Sequence, residues 1–251
     1  MDIVSEGGTD IGRIRENNED SFFRDDELGL YVVADGMGGH AGGETASRMA
    51  VALLEETVRK ALGQPAGADA HRDERGPVRS LEEGFAAATR AIFEAGTRDT
   101  ALRGMGTTMT AMVRDGDRMH IAHIGDSRAY RFRRGRLEQL TQDHSVVAEQ
   151  VRAGLLTPEA ARTSPYRHVI SRVVGIDLAA SPDVTTVAIE SDDIYLLATD
   201  GLTEMLTDEE IGRVIAGTPV ALIPALLIGR ANEQGGRDNI TVVVVTAREG
   251  S

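Results

Sequence analysis

Thr107–Leu140 reads TTMTAMVRDGDRMHIAHIGDSRAYRFRRGRLEQL, and its punctuation decides the architecture. Thr107–Arg114 and Arg118–Ile124 are short apolar runs around Asp115-Gly116, a dipeptide that favours tight hairpin turns. Arg128–Arg133 and Arg136–Leu140 repeat the arrangement around Arg134-Gly135. Strands joined this closely run antiparallel, because a parallel crossover needs about a dozen residues or more.

Upstream, Leu28–Ala34 reads as a buried strand and Glu44–Leu62 as a helix, with Ala46, Met49, Ala50, Leu53, Val58 and Leu62 on one face. Gly63–Val78 is rich in Gly, Pro, Ala and charge, as surface loops are. Ser80 with Glu83 forms a capping-box pattern for a second helix lined by Leu81, Phe85, Ala88 and Ile92. Downstream, Gln142–Val174 is polar, carries Pro158 and Pro165, and reads as a flap-like excursion over a site. Val184–Glu190 and Ile194–Thr199 read as a strand pair around Ser191-Asp192-Asp193. Thr207 and Glu210 offer another capping box, for a helix to about Ala216, and Pro219–Asn232 reads as a longer helix. Asn239–Thr246 has the continuous apolar run of a strand covered on both faces. Hairpin-joined strands with paired helices favour an α+β fold over a doubly wound parallel one. No linker divides the chain, so residues 1–251 are expected to form a single catalytic domain.

The 251 residues suffice for a substantial core. There is no cysteine, which excludes disulfides, thiolate zinc sites and a cysteine nucleophile. A net charge of −13 argues against a nucleic-acid partner. It also repels a phosphorylated ligand at long range, so any phosphate site needs local cations. No apolar stretch has bilayer length, and Met1-Asp2-Ile3-Val4-Ser5-Glu6 is not a secretory signal. A cytoplasmic protein with no membrane partner is expected.

Four aspartates end apolar runs: Asp35 in Val32-Val33-Ala34-Asp35-Gly36, Asp126 in Ile124-Gly125-Asp126-Ser127, Asp200 in Ala198-Thr199-Asp200-Gly201, and Asp238 before Asn239-Ile240. Each alone reads as an ordinary turn residue. Together they suggest a shared hard cation held by oxygen ligands. Gly36 allows backbone to approach such an ion. Arg15 stands four residues before Glu19-Asp20 as a candidate phosphate clamp. His40 follows on a glycine-rich loop and is a candidate proton donor to a leaving alcohol. That loop lacks the Gly-Lys-Ser/Thr ending of a P-loop.

Taken in order, Arg15…Glu19-Asp20, Asp35-Gly36-Met37-Gly38-Gly39, Gly106-Thr107-Thr108, Gly125-Asp126-Ser127, Thr199-Asp200-Gly201 and Gly236-Arg237-Asp238-Asn239 resemble the motifs of metal-dependent protein phosphatases of type 2C. The likeness is strongest to the compact bacterial serine/threonine phosphatases. It implies a four-layer α-β-β-α sandwich, two central antiparallel sheets flanked by helix pairs. It implies two Mg²⁺ or Mn²⁺ ions, with Asp35 bridging them, Gly36 giving its carbonyl, Asp200 and Asp238 holding one, and Glu19 approaching the other through water. Asp126 matches the position linked to a third, weaker metal, which Ser164 of the flap would also reach. Asp20 and Asn239 would support the ligands, and Arg15 would hold the phosphate. Eukaryotic members carry His where Met37 stands, while bacterial members share the Asp-Gly-Met-Gly-Gly-His form found here, in which the nearest histidine, His40, is the candidate acid.

The resemblance implies hydrolysis of phosphoserine and phosphothreonine on proteins, reversing a bacterial serine/threonine kinase, by a monomer whose partners are phosphorylated proteins. Three rivals stand beside it: a dedicated phosphatase of one partner in a sigma-factor switch, a catalytically weak phosphoprotein-binding module, and a structural Ca²⁺ protein. The dispersal of the carboxylates along the chain argues against the last, which would cluster them in one loop.

Overall fold

The computed structural model describes residues 1–38, 41–62 and 76–248. A five-stranded and a six-stranded antiparallel sheet pack face to face. The first runs β1 (Asp2–Asp10), β11 (Ile240–Arg248), β10 (Ile194–Ala198), β7 (Arg128–Arg133), β8 (Arg136–Gln139). The second runs β2 (Asp20–Asp25), β3 (Leu30–Met37), β5 (Met109–Asp115), β6 (Arg118–Ile124), β9 (Asp183–Ala188), with the two-residue β4 (Gly106–Thr107) paired to the end of β3. Helices α1 (Gly42–Leu62) and α2 (Gly76–Arg98) cover the outer face of the second sheet. Helices α5 (Asp200–Thr203), α6 (Asp208–Gly217) and α7 (Ile223–Glu233) cover the first. This is the expected four-layer α+β sandwich.

Successive side chains point to opposite faces, and both faces of the central strands are covered, so β3 and β11 read as continuous apolar runs. In β3, Leu30, Val32 and Ala34 meet the helices, while Tyr31 and Val33 meet the opposite sheet. In β11, Ile240, Val242 and Val244 face the helices, while Val243, Val245 and Ala247 face inward. Each fully buried Leu, Ile or Val among these contributes roughly 1.5–3 kcal/mol, which fixes register on both faces.

Both hairpins expected in 107–140 form. Gly116 has φ +60°, and Arg134 and Gly135 have φ +52° and +79°, the left-handed pair that a two-residue turn requires. The capping box at Thr207 and Glu210 is present on both sides. Gln142–Val174 holds only two short helices, α3 (Val146–Arg152) and α4 (Pro158–Thr163), and its two ends are tied together by a Ser145–Ile170 bridge.

Several expectations are corrected. Strands β9 and β10 are not a hairpin; the turn at 191–193 carries the chain from one sheet to the other. Ser80 lies inside α2, where its hydroxyl donates to the Pro77 carbonyl, because the helix already begins at Gly76-Pro77. The strand at 107–114 is broken at Thr108, whose N–H turns to the Asp35 carbonyl. Helix 219–232 divides into a 3-10 turn (Val220–Leu222) and α7, with Pro224 in the first turn of α7. Strands β1 and β2 had no expectation. Most of the Gly63–Val78 loop lies outside the described residues. Among the described residues, no helix is long and apolar enough to cross a membrane.

Candidate metal centre

At one end of the sandwich, the two sheets deliver their acidic residues to a single open cleft of about 690 Å³. Asp35 comes from β3 and Glu19 from the approach to β2; Asp200 follows β10 and Asp238 precedes β11. All four line the cleft, with Gly36, Asn239 and Arg15. Asp35 lies within its strand rather than at the end, directly opposite Asp20 in the β2–β3 register. Asp20 and Asp126 are buried behind this lining, and both act electrostatically on Asp35.

Packing leaves no room to change the backbone here. A Cβ on Gly36 would strike the Gly43 carbonyl and come within 2.7 Å of the Glu19 carbonyl oxygen. A Cβ on Gly201 would strike the Asn239 carbonyl. Asn239 is the knot of the site. Its Nδ2 donates to the Ile11 and Asn17 carbonyls at 2.9 Å each, and its Oδ1 accepts from the Glu19 N–H at 2.8 Å. The loop at 11–19 is thereby sewn to the start of β11.

The threonines of the Gly106-Thr107-Thr108 segment hold Asp35. Thr107 Oγ donates to the Asp35 carbonyl at 2.8 Å, and Asp35 N–H donates to Thr108 Oγ at 2.9 Å. Thr108 Oγ meets Ser127 Oγ at 2.8 Å, linking this segment to the turn that carries Asp126. Thr199 Oγ donates to Asp20 Oδ2 at 2.9 Å and accepts from the Thr241 N–H at 3.0 Å.

Electrostatics define what the site lacks. Burial, then the charges of Asp200 and Asp20, push the Asp35 carboxyl well above the usual carboxylate range. Asp126 is raised likewise by burial and by Asp200. Burial and neighbouring aspartates push Asp20 and Asp200 each up to about 7. Among the described residues, one oxygen of each of Asp20, Asp126 and Asp200 is buried without a hydrogen-bond donor. Arg15 donates from Nη2 to Asp238 Oδ2 at 2.6 Å, and this pairing raises its own pKa. Arg15 pairs with Asp238 alone, which leaves the buried carboxylates behind it without a cation, and buried unpaired charge is strongly unfavourable. Hard divalent cations match both the donor set and the unpaired oxygens.

The remaining candidates fall elsewhere. Ser164 follows α4, its hydroxyl accepts from the Tyr166 N–H, and it does not line the cleft. His40 lies outside the described residues. Two residues that sequence reasoning passed over do line the cleft: His168 and Glu204, joined Nδ1 to Oε1 at 2.8 Å. With Asp200 they form a group whose ligand atoms lie within 4.8 Å of one another. The signal was Glu204 four residues after Asp200, one helical turn away. His123 and His144 stack at 4.7 Å between ring centroids. His144 Nδ1 accepts from the Gly125 N–H at 3.1 Å, beside Asp126, and its Nε2 meets Asp183 at 3.0 Å.

A protein phosphatase 2C profile matches residues 8–226. The serine/threonine phosphatase stp of Listeria monocytogenes is 35% identical over 241 residues, covering 94% of this chain and 93% of its own length. Protein phosphatase PhpP of Streptococcus pneumoniae is 38% identical over 249 residues, 96% of each chain. The crystal structure of the catalytic domain of the serine/threonine protein phosphatase PstP in complex with two manganese ions superposes with a TM-score of 0.85, at 35% identity, over 98% of this chain and 99% of that one. The fold, the ordered motifs and these likenesses agree, and the chain belongs to the protein phosphatase 2C family.

Proposed function

We infer that this protein is a metal-dependent phosphatase that removes phosphate from phosphoserine and phosphothreonine of proteins. The observation that carries this reading is the convergence of Glu19, Asp35, Asp200 and Asp238 on one cleft that also holds Arg15, with a buried oxygen of Asp200, and of Asp20 and Asp126 behind it, lacking a donor among the described residues. We assign Asp35, with the Gly36 carbonyl, as the residue that would serve both ions. Asp200 and Asp238 would hold one ion, and Glu19 would support the other through water. Asp126 would serve a third, weaker ion, with Ser164 of the flap-like segment assigned to the same ion. Asp20 and Asn239 hold this set in place.

When bound, two Mg²⁺ or Mn²⁺ ions supply the Lewis acidity that readies water to attack phosphorus at neutral pH. The chain's own residues do the rest. The ion pair to Asp238 fixes the Arg15 guanidinium and leaves its other N–H groups for the phosphoryl oxygens. Asn239 and the threonines around Asp35 keep the carboxylates from shifting as charge develops, which is how a preorganised site lowers a barrier. His40 is assigned the proton for the departing alcohol. The partners are phosphorylated proteins and the kinase that makes them, in the cytoplasm where ATP is available to that kinase. We expect the enzyme to act as a monomer.

Hydrolysis of an aryl phosphate and a phosphothreonine peptide, with Mn²⁺, with Mg²⁺ and with EDTA, tests this. Turnover of both with either ion and none with EDTA is expected. Turnover that survives chelation overturns the reading.

A further inference from the structure

The acids of the cleft are largely spoken for, but two of its cations are not. Asp20, Asp35, Asp126, Asp200 and Asp238 form the acidic cluster, and Glu204 is paired with His168. Arg15 is held by Asp238. Arg237 and Arg167 also line the cleft. Arg237 is exposed and makes no hydrogen bond or ion pair among the described residues, and Arg167 touches only the Ser164 carbonyl, at 3.5 Å. Two exposed acids of the described residues also line the cleft, Glu16 and Glu204, and Glu204 is paired with His168.

Their placement is built into the fold. Gly235 and Gly236, at φ +123° and +47°, turn the chain out of α7 and present Arg237 immediately before Asp238. The Arg13 N–H donates to the Gly236 carbonyl at 2.7 Å, clasping this turn to the loop that carries Arg15. Arg167 comes from the flap-like segment 142–174, and its side chain also lines the cleft. A peptide extends about 3.3 Å per residue. With the phosphorylated residue at Arg15 and the aspartates, a long guanidinium side chain one residue from Asp238 reaches the next one to three substrate residues.

We propose that Arg237 and Arg167 form a second anion subsite, which selects phosphoproteins carrying a carboxylate or a further phosphate close to the phosphorylated residue. The proposal rests on the phosphatase reading above and names its substrate class. Guanidinium forks suit both oxyanions. The sign is the informative part. A chain of net charge −13 repels acidic peptides as a whole and favours basic ones. At physiological salt that long-range term is screened beyond about 8 Å, while a contact pair survives.

The test measures kcat/KM of the Mn²⁺-loaded enzyme at physiological salt on four phosphothreonine peptides of equal length. Their flanks carry glutamates, a phosphoserine, neutral residues, or lysines. The acidic or doubly phosphorylated peptide should exceed the neutral one by about tenfold, the scale of one charge-assisted hydrogen bond. That ratio should collapse in Arg167→Gln/Arg237→Gln and persist in Arg136→Gln, which removes an exposed charge of β8. A gain with glutamate flanks identifies a carboxylate reader, and a gain with phosphoserine alone a phosphate reader; either supports the subsite. A wild-type preference for lysine flanks, no preference, or a ratio that survives the double variant overturns it. No hydrolysis of any peptide, with Mn²⁺ present, sinks the phosphatase reading itself.

Discussion

Thr199 and Asp20 join the two sheets behind the cleft: the threonine hydroxyl, at the end of β10, donates to the carboxylate at the start of β2 over 2.9 Å. The same oxygen accepts the Thr241 N–H, so it serves three strands at once. Thr199→Val keeps the shape and removes both functions. It should destabilise the fold by about 1–3 kcal/mol, the cost of stranding buried polar groups. Urea denaturation checks this, and an unchanged midpoint would remove Thr199 from the support of the site.

Acidity should stabilise the metal-free protein. Folding raises the carboxyls of Asp20 and Asp200 to about 7, from an unfolded value of 3.8. Between these values the folded chain holds protons that the unfolded chain has released, so stability falls as pH rises through that window. In EDTA, Tm at about pH 5.5 should exceed Tm at about pH 8, by roughly 2–4 °C for each kcal/mol involved. Mn²⁺ needs the deprotonated carboxylates, so adding it should shrink or reverse the difference. A metal-free Tm that climbs with pH contradicts this account.

Asp35→Asn and Asp238→Asn remove charge at nearly constant shape. Each should lower kcat by about two orders of magnitude or more, as loss of a strong electrostatic contributor does. Each should also weaken Mn²⁺ binding measured by calorimetry. Normal turnover in both variants would contradict the ligand assignment.

Gly36→Ala tests the backbone rather than the charge. The added methyl group meets the Gly43 carbonyl, which belongs to the first turn of α1. Overpacking of this kind costs about 1–3 kcal/mol. The strain falls between β3, α1 and the segment of Glu19 that leads into β2, so Mn²⁺ affinity should drop together with Tm. A variant with wild-type affinity would show that the cradle yields.

Two substitutions at His144 separate its two nitrogens. Thr110 Oγ donates to the Ser127 carbonyl and meets His123 Nδ1, so the histidine pair is locked from both sides. His144→Asn keeps an acceptor near Nδ1 for the Gly125 N–H; His144→Gln keeps only the end that meets Asp183. If His144 positions the Asp126 turn, the Gln variant needs about three- to tenfold more Mn²⁺ for half-maximal activity than the Asn variant. Equal requirements would reduce His144 to a packing role.

The layers were legible because pattern and turn chemistry agreed. Asp115-Gly116 and Arg134-Gly135 named their hairpins, and β11 announced burial on both faces. β1 was not legible: its Ser5-Glu6-Gly7-Gly8-Thr9 is polar and glycine-rich, and it is a strand because β11 offers it a full register of partners. β9 and β10 read as a hairpin because the turn residues between them favour one, but local chemistry cannot report that a chain changes sheets. The ordered motifs found the cleft's carboxylates. They did not find His168 and Glu204, which meet only when the 142–174 segment folds back over α5. Nor did they reveal Asn239 as a knot, since its partners lie more than two hundred residues away.

The acids of the cleft come half from one sheet and half from the other, and this ties activity to physical endurance. Ions seated between Asp35 on one side and Asp200 and Asp238 on the other would act as rivets across the seam, besides serving the chemistry. Starved of manganese or magnesium, the enzyme would do more than idle. Like charges would pry the seam apart at that end, and proteases would gain an opening there. Its abundance in the cell would then follow the metal supply, with no dedicated sensor required.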